Sequence, residues 1–244
     1  ISAHIPFFQI QGGAETFRGA DRRRLFKLLA PFRDVLLLTA HSHAQNVVRH
    51  GPDSDWHGAG RVFEYNAGAT CGGYWAGEKD KDGLPNAMMS DGTPNGYARL
   101  HITSRDYRLQ WFNAGNRPDA VMALHAPQVL RHGAYPGVGL YANVFMARPD
   151  TRVEVKIDDG AWQSMQRVDK ADPRVLAMNL RDDAASALTG YDRAPEATVS
   201  SHLWRFALPT DLALGEHRIR VRAIDDWLGE VTQDAIYRLE ARQP

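Results

Sequence analysis

The sequence predicts an α/β portion at the front of the chain and an all-β portion behind it. Three observations lead there. A strand–helix–strand pattern fills residues 1–40, period-2 alternation takes over from Arg61, and Gly, Pro, Asn and Asp punctuate the chain from there to its end.

The opening "ISAHIP" reads as the end of a strand stopped by Pro6, which has no N–H for a ladder and restricts Ile5. A Gly-rich loop, "QGGAETFRG", follows. The stretch "ADRRRLFKLLAPF" then predicts a helix, with Leu25, Phe26, Leu28 and Leu29 on one side, Asp21 as its cap and Pro31 as its stop. "DVLLLTA" is a short unbroken apolar run, as in a strand buried on both faces. Beyond Arg61 the alternating runs "RVFEYNAGA", "YARLHITS" and "YRLQWFNAG" predict strands, the first two separated by a polar loop over residues 71–97. A loop that long is usually functional or disordered, and Tyr74, Trp75 and Tyr97 argue against disorder. "NAGNRPDA", residues 113–120, breaks the pattern and predicts a boundary between residues 1–117 and 118–244. Strands then recur at "LYANVFMA", "RVEVKIDDGAWQSM", "SHLWRFALP", "HRIRVRAIDDW" and "EVTQDAIYRLEA", with a hairpin turn at Asp158-Asp159-Gly160. Short strands with frequent turns suggest a small antiparallel sandwich of immunoglobulin-like type.

Composition removes several function classes. With 29 basic and 29 acidic residues there is no net field to recruit nucleic acid or a membrane surface. The tightest basic run, Arg22-Arg23-Arg24, reads as a solvated helix face. No apolar stretch is long enough to span a membrane. The single cysteine, Cys71, excludes an intrachain disulfide and a Cys-based zinc site, and its small neighbours predict a small buried side chain.

The chemistry concentrates in "LLLTAHSHAQ" and "ISAHIP". His4, His41 and His43 all sit where predicted strands end, and ligands bind at the carboxyl ends of strands in open α/β sheets. Imidazole is the commonest protein metal ligand. On a regular strand, residues i and i+2 share a face; in a turn beyond it they diverge enough to serve two adjacent ions. No acid in the chain is an obvious bridging ligand for a two-metal centre.

"HIPFF", the helix and "LLLTAHSH" together resemble the last two motifs of the calcineurin-like metallophosphoesterases. "GATCGGYW", "DGTPNGYARL", "YANVF", "SHLWRFALP" and "GEHRIRVRAIDDWLGE" resemble the bacterial subgroup of that family with a dedicated C-terminal domain. The resemblance implies that the first portion is the C-terminal part of a four-layered α/β sandwich whose strand ends carry two divalent ions (Mn, Fe or Zn). It implies that His4 and His41 bind one ion and His43 the other, and that the substrate is a small phosphomonoester or phosphodiester. Ala40 stands where the family usually has Gly. The family's first three motifs are absent, and with them the bridging aspartate and the catalytic residues, which are expected upstream of Ile1. The expectation is therefore a chain missing the N-terminal segment of a longer enzyme, inactive by itself. The subgroup implies a periplasmic or secreted location.

The loop over residues 71–97 is expected to fold back over the histidines. Tyr74 and Trp75 would stack on a base or sugar, and Asp91 and Asn95 would bind a hydroxyl. Asp55, His57 and Glu64 lie near the motif with no assigned role. The alternative is a non-catalytic β-rich accessory module whose histidines are structural, with Trp162, Trp204 and Trp227 as a carbohydrate platform; Trp204 alternates like a core residue, which favours packing. An amidohydrolase, which also uses His-x-His, would need further βα units after Arg61, and the sequence there is β-rich.

Overall fold

The computed structural model describes residues 1–8, 17–104, 106–115, 119–135 and 137–242. The Gly-rich loop expected after Pro6 falls mostly on residues 9–16, and the boundary expected at residues 113–120 includes residues 116–118. Both stretches lie outside the described residues.

The first unit is built on a three-stranded sheet. Helix α1 (Gly19–Leu29) precedes β1 (Asp34–Thr39), β2 (Asn46–His50) and β3 (Arg61–Asn66), with strand order β1-β3-β2. Strand β3 runs parallel to β1 and antiparallel to β2. The opening residues add along the free edge of β1. The Ile1 amino group donates to Leu36 O at 2.9 Å, and Ile1 O accepts from Leu38 N–H at 2.8 Å. Ser2 bridges Leu38 in parallel, and Ala3 N–H donates to Leu38 O at 2.9 Å. The unbroken apolar run of β1 is accounted for by burial on both faces. Val35 and Leu37 pack with Val62, Phe7, Trp56 and Phe26 of α1, while Leu36 and Leu38 pack with Phe63, Tyr65 and Val47.

Helix α1 departs from the expected cap and face. Asp21 lies inside its first turn; Arg18 holds the cap position and makes no side-chain cap bond. Phe26 is buried, with Leu25 and Leu29 packed beside it, but Leu28 is 67% exposed. The Arg run is not uniformly solvated either. Arg22 lies on the inward face, donating to Phe7 O at 3.1 Å and pairing with Asp55 at 3.0 Å. A stripe at 3.6-residue spacing takes Arg22 with Phe26 and Leu29, and leaves Leu28 outside it.

Strands β4 (Gly96–Ile102) and β5 (Tyr107–Asn113) form an antiparallel hairpin whose Leu109 and Trp111 pack against the β1-β3-β2 sheet. Phe145, Met146 and Trp227 join the same cluster, so this core draws on residues from both sides of residues 116–118.

The rest is mostly strand: β6 (Met122–His125), β7 (Val129–Arg131), β8 (Gly139–Val144), β9 (Arg152–Ile157), β10 (Gln163–Ser164), β11 (Gln166–Arg167), β12 (Lys170–Ala171), α2 (Pro173–Ala184), β13 (Val199–Ser200), β14 (Leu203–Ala207), β15 (Gly215–Asp225) and β16 (Gly229–Glu240). One sheet has the order β10-β9-β15-β16-β7, another β11-β14-β8-β6, and β12 and β13 form a separate pair. The two larger sheets share one core. Leu140, Ala142, Val144 and Trp204 come from one side, and Val153, Val155, Ile219, Val221 and Tyr237 from the other. The pairing is antiparallel except between β7 and β16, which run parallel. Asp158 takes a left-handed φ of 49° and Gly160 N–H donates to Ile157 O, so the Asp-Asp-Gly turn forms where expected. Helix α2 was not anticipated. Its signals are local: Asp172 accepts from Arg174 N–H as an N-cap, and Pro173 holds the first helical position. Among the described residues no helix is long and apolar enough to cross a membrane.

His217 on β15 donates to Asp158 at 2.7 Å and to Ala213 O at 2.8 Å, clasping the β9 turn to the β15–β16 hairpin. Burial alone would lower the His217 pKa, but the bonds to Asp158 and Ala213 outweigh it and the pKa is raised. Burial would raise that of Asp158, but His217 and the Arg218 N–H hold it down. A raised histidine stabilises fully below its unfolded value of about 6.5 and loses that contribution as pH rises through the folded value. A lowered aspartate contributes above about 3.9 and loses it as pH falls. The clasp is therefore complete between about pH 4 and 6.5. The stability advantage of the natural chain over His217→Ala, from urea unfolding, should be larger at pH 5.5 than at pH 9. An equal advantage at both would remove the ion pair from the account.

Candidate functional site at the strand ends

Parallel pairing of residues 1–3, β1 and β3 puts His4, the turn after Thr39, and Asn66 at one edge of the sheet. Ile1 joins this sheet through its backbone and is 53% exposed. Ala40 N–H donates to His4 O at 3.0 Å, which fixes the relative heights of His4 and the turn. His41 Nδ1 lies 3.0 Å from His4 Nε2, with the rings edge to face at 81°. The two imidazoles thus converge on one point, as the strand-end reading expected. His43 turns away. Its Nδ1 lies 2.8 Å from Gly72 O, and its ring stacks on Tyr74 with centroids 4.4 Å apart. A carbonyl accepts only, so Nδ1 carries a proton and Nε2 is the nitrogen left for a ligand, the arrangement in which histidines bind metals.

This divergence is made by the backbone. His41 and His43 hold left-handed φ values of 73° and 51°. Ala40, in the position where a glycine was expected, is not among the left-handed residues, so its methyl group meets no backbone penalty. Non-glycine residues in this region cost of order 1 kcal/mol or more and persist only where the surroundings hold them.

Three anchors hold the turn. Asn66 Nδ2 donates to Ser42 Oγ and to Ala44 O at 2.8 Å. The buried Glu64 accepts from Phe7 N–H, Thr39 Oγ and His50 at 2.7–2.8 Å, tying both strand ends from beneath. Gln45 N–H donates to Asp91 Oδ2 at 2.6 Å, and Gln45 Oε1 accepts from the Tyr65 hydroxyl.

The loop over residues 71–97 divides in two. Its head lies at His43: Tyr74 and Trp75 are 69% and 46% exposed and hold consecutive left-handed φ values of 60° and 62°. Cys71 is exposed, not buried as expected, with Sγ 3.8 Å from His43 Nδ1; the small residues around it make a turn and leave no core position. The rest packs elsewhere. Gly77 N–H donates to Asp192 O, Glu78 bridges Gly190, and Thr198 N–H donates to Ser90 O. Only the head of the loop therefore meets the histidines.

Asp91 and Asn95 are placed inside the protein. Asp91 is 2% exposed, and its carboxylate accepts from Gln45 N–H, Thr93 N–H and His202 Nε2. Burial would raise its pKa, but His202 and the two backbone N–H groups outweigh that and hold it below the usual carboxylate range. Asn95 donates to Thr70 O at 2.8 Å. The Asp91 carboxylate, holding three donors, is not available to a substrate hydroxyl, and Asn95 Nδ2 is taken by Thr70 O.

Sequence reasoning passed over Asn66, Asn143 and His202. Asn143 donates to Asp91 O and to Asp172, and its Oδ1 faces His202 Nδ1 at 2.7 Å. Runs read as strands thus supply the polar partners of the "DGT" turn; a buried Asn in "YANVF" and a His opening "HLWRFAL" were the signals. The tryptophans do not assemble into a platform: Trp204 lies in the core shared by the two larger sheets, Trp227 in the core shared with the first sheet, and Trp162 under Arg222.

Among the described residues no group of three or more His, Cys, Asp or Glu is gathered at metal-binding spacing. The donors at the strand ends are imidazoles, which suit a divalent ion, but a two-metal centre also needs a bridging oxygen. Glu64 cannot supply it while bound to three donors. The residues here fit part of such a site.

Gly92 turns between Asp91 and Thr93 with φ of 85°, and a Cβ there would lie 2.7 Å from Asn143 Nδ2 and closer still to Asp172. Gly92→Ala should lower stability by about 1–3 kcal/mol in urea unfolding. A neutral result would show that the turn can relax.

No curated protein matches the chain. Residues 64–230 match the family model described as the C terminal of calcineurin-like phosphoesterase, a stretch that starts at the buried Glu64 and takes in Asp91, Asn143 and His202. That stretch is more than half of the chain, and the chain belongs to the calcineurin-like phosphoesterase C-terminal family.

Proposed function

We propose that this chain is part of a metal-dependent phosphoesterase that hydrolyses a small phosphomonoester or phosphodiester. The observation that carries the reading is the strand-end arrangement of His4, His41 and His43: two converging imidazoles and one diverging one, the latter with Nε2 free because Gly72 O holds Nδ1. Family membership supports the same chemistry.

In this reading His4 and His41 hold one divalent ion and His43 a second. The bridging carboxylate, the catalytic residues and the remaining ligands come from an N-terminal segment of the same protein, upstream of Ile1, which would also complete a four-layered sandwich on the β1-β3-β2 sheet. The ions, when bound, lower the pKa of a water and neutralise phosphate oxygens. The chain's own residues do the rest. The turn aims the imidazoles, Glu64 fixes the strand ends beneath them, and Tyr74, stacked on His43, and its exposed neighbour Trp75 offer aromatic faces for a base or sugar. The sheet pair, which we read as an immunoglobulin-like variant, buttresses the site.

The test uses the longer protein with p-nitrophenyl phosphate and bis-p-nitrophenyl phosphate as monoester and diester. Hydrolysis of either should be lost on chelation and return with Mn, Fe or Zn. His41→Ala and His43→Ala should each lower kcat/KM by about 100-fold or more. Tyr74→Ala should raise KM with little change in kcat. Turnover that survives chelation, or is unchanged in both histidine variants, would overturn the reading. By itself the 244-residue chain should bind fewer than two ions tightly by elemental analysis.

A further inference from the structure

Burying a carboxylate is costly unless it is fully bonded, so a chain that holds Asp91 at 2% exposure must use it for something. What it touches gives the use. Its Oδ1 accepts from Thr93 N–H, which closes its own turn. Its Oδ2 has two donors from distant segments: Gln45 N–H at 2.6 Å and His202 Nε2 at 3.1 Å. Gln45 is separated from His43 by Ala44 alone, and His202 immediately precedes β14 of the sandwich.

We propose that Asp91 and His202 are positioning residues that hold the left-handed turn presenting His41 and His43. The turn stores backbone strain at both histidines. The Asp91–Gln45 bond is its only charge-assisted backbone anchor among the described bonds, and such bonds are about twice as strong as neutral ones. The anchor itself is braced. His202 Nδ1 faces Asn143 Oδ1, which must accept because Asn143 Nδ2 donates to Asp91 O and Asp172. Ser201, the neighbour of His202, adds a bond to Asn46 Oδ1 at 2.7 Å. The sandwich thereby sets the direction of imidazoles on another sheet. The bearing on catalysis rests on the phosphoesterase reading; the bearing on the turn does not.

The two parts are tested separately. In the 15N-labelled chain, Asp91→Asn places an amide N–H₂ where Gln45 N–H or His202 needs an acceptor. Hydrogen exchange at the Gln45 amide should quicken by about 10- to 100-fold, the weight of one charge-assisted bond. The His43 ring-nitrogen shifts should move from a single tautomer toward an average. Ile219→Ala, which opens a cavity in the far sheet, should weaken the fold yet leave both signals in place. Unchanged signals in Asp91→Asn, or equal changes in Ile219→Ala, would overturn the proposal. Should Asp91→Asn fail to fold, His202→Gln carries the test, with the same two signals expected to shift and their constancy counting against it. In the longer enzyme Asp91→Asn should lower kcat about tenfold or more with KM nearly unchanged. A longer protein with no phosphoesterase activity would sink the functional reading and leave the turn result standing.

Discussion

Asp91 is a charge in a place where charge is expensive, and that expense organises its neighbourhood. Without donors its burial would cost several kcal/mol. Each of its three donors comes from a different segment: Thr93 from its own loop, Gln45 from the turn after β1, and His202 from just ahead of β14. All three must arrive together or the carboxylate is left buried with its bonding incomplete. A demand of this kind is selective in a way that apolar packing is not, because a shifted register leaves polar atoms unpaired where it would merely re-pack methyl groups. The "DGT" turn, the histidine turn and the sheet that carries β14 are thereby set in one arrangement.

The fold was legible where burial is periodic. The run of β1 announced a strand covered on both faces, and β4, β5, β8, β9, β14, β15 and β16 fell on their alternating stretches. Strand β2, "NVVRH", was missed because it is short and follows the chemistry-bearing turn without a break. Helix α2 was missed because its outward positions carry Leu176 and Leu180, which blur the apolar stripe of Val175 and Met178. The expected cap at Asp21 failed because helix forms ahead of it, from Gly19, than the capping signal suggests.

At the site, the histidines could be read because His-x-His after an apolar run is a local pattern. Their supports could not. Asn66, Glu64, Asn143 and His202 act across 14 to 111 residues of sequence, and nothing local marks a polar side chain whose partner is that far away. The roles of Asp91 and Asn95 went the same way: Asp-Gly and Asn-Gly look like surface turns, and it takes the close packing of Gly92 against Asp172 and Asn143, and of Gly96 against Phe112 O and Trp111, to show that both pairs face inward.

The core that joins Tyr65 and Trp111 to Phe145, Met146 and Trp227 has a consequence for how such a chain can evolve. A β-sandwich that closes on itself can be cut from one gene and joined to another, bringing only a linker. The two larger sheets here have instead left Phe145, Met146 and Trp227 in the interior of the first unit. Moved alone, they would arrive with an uncovered aromatic patch and would leave a cavity behind, so recombination that succeeds should carry the first sheet along with them.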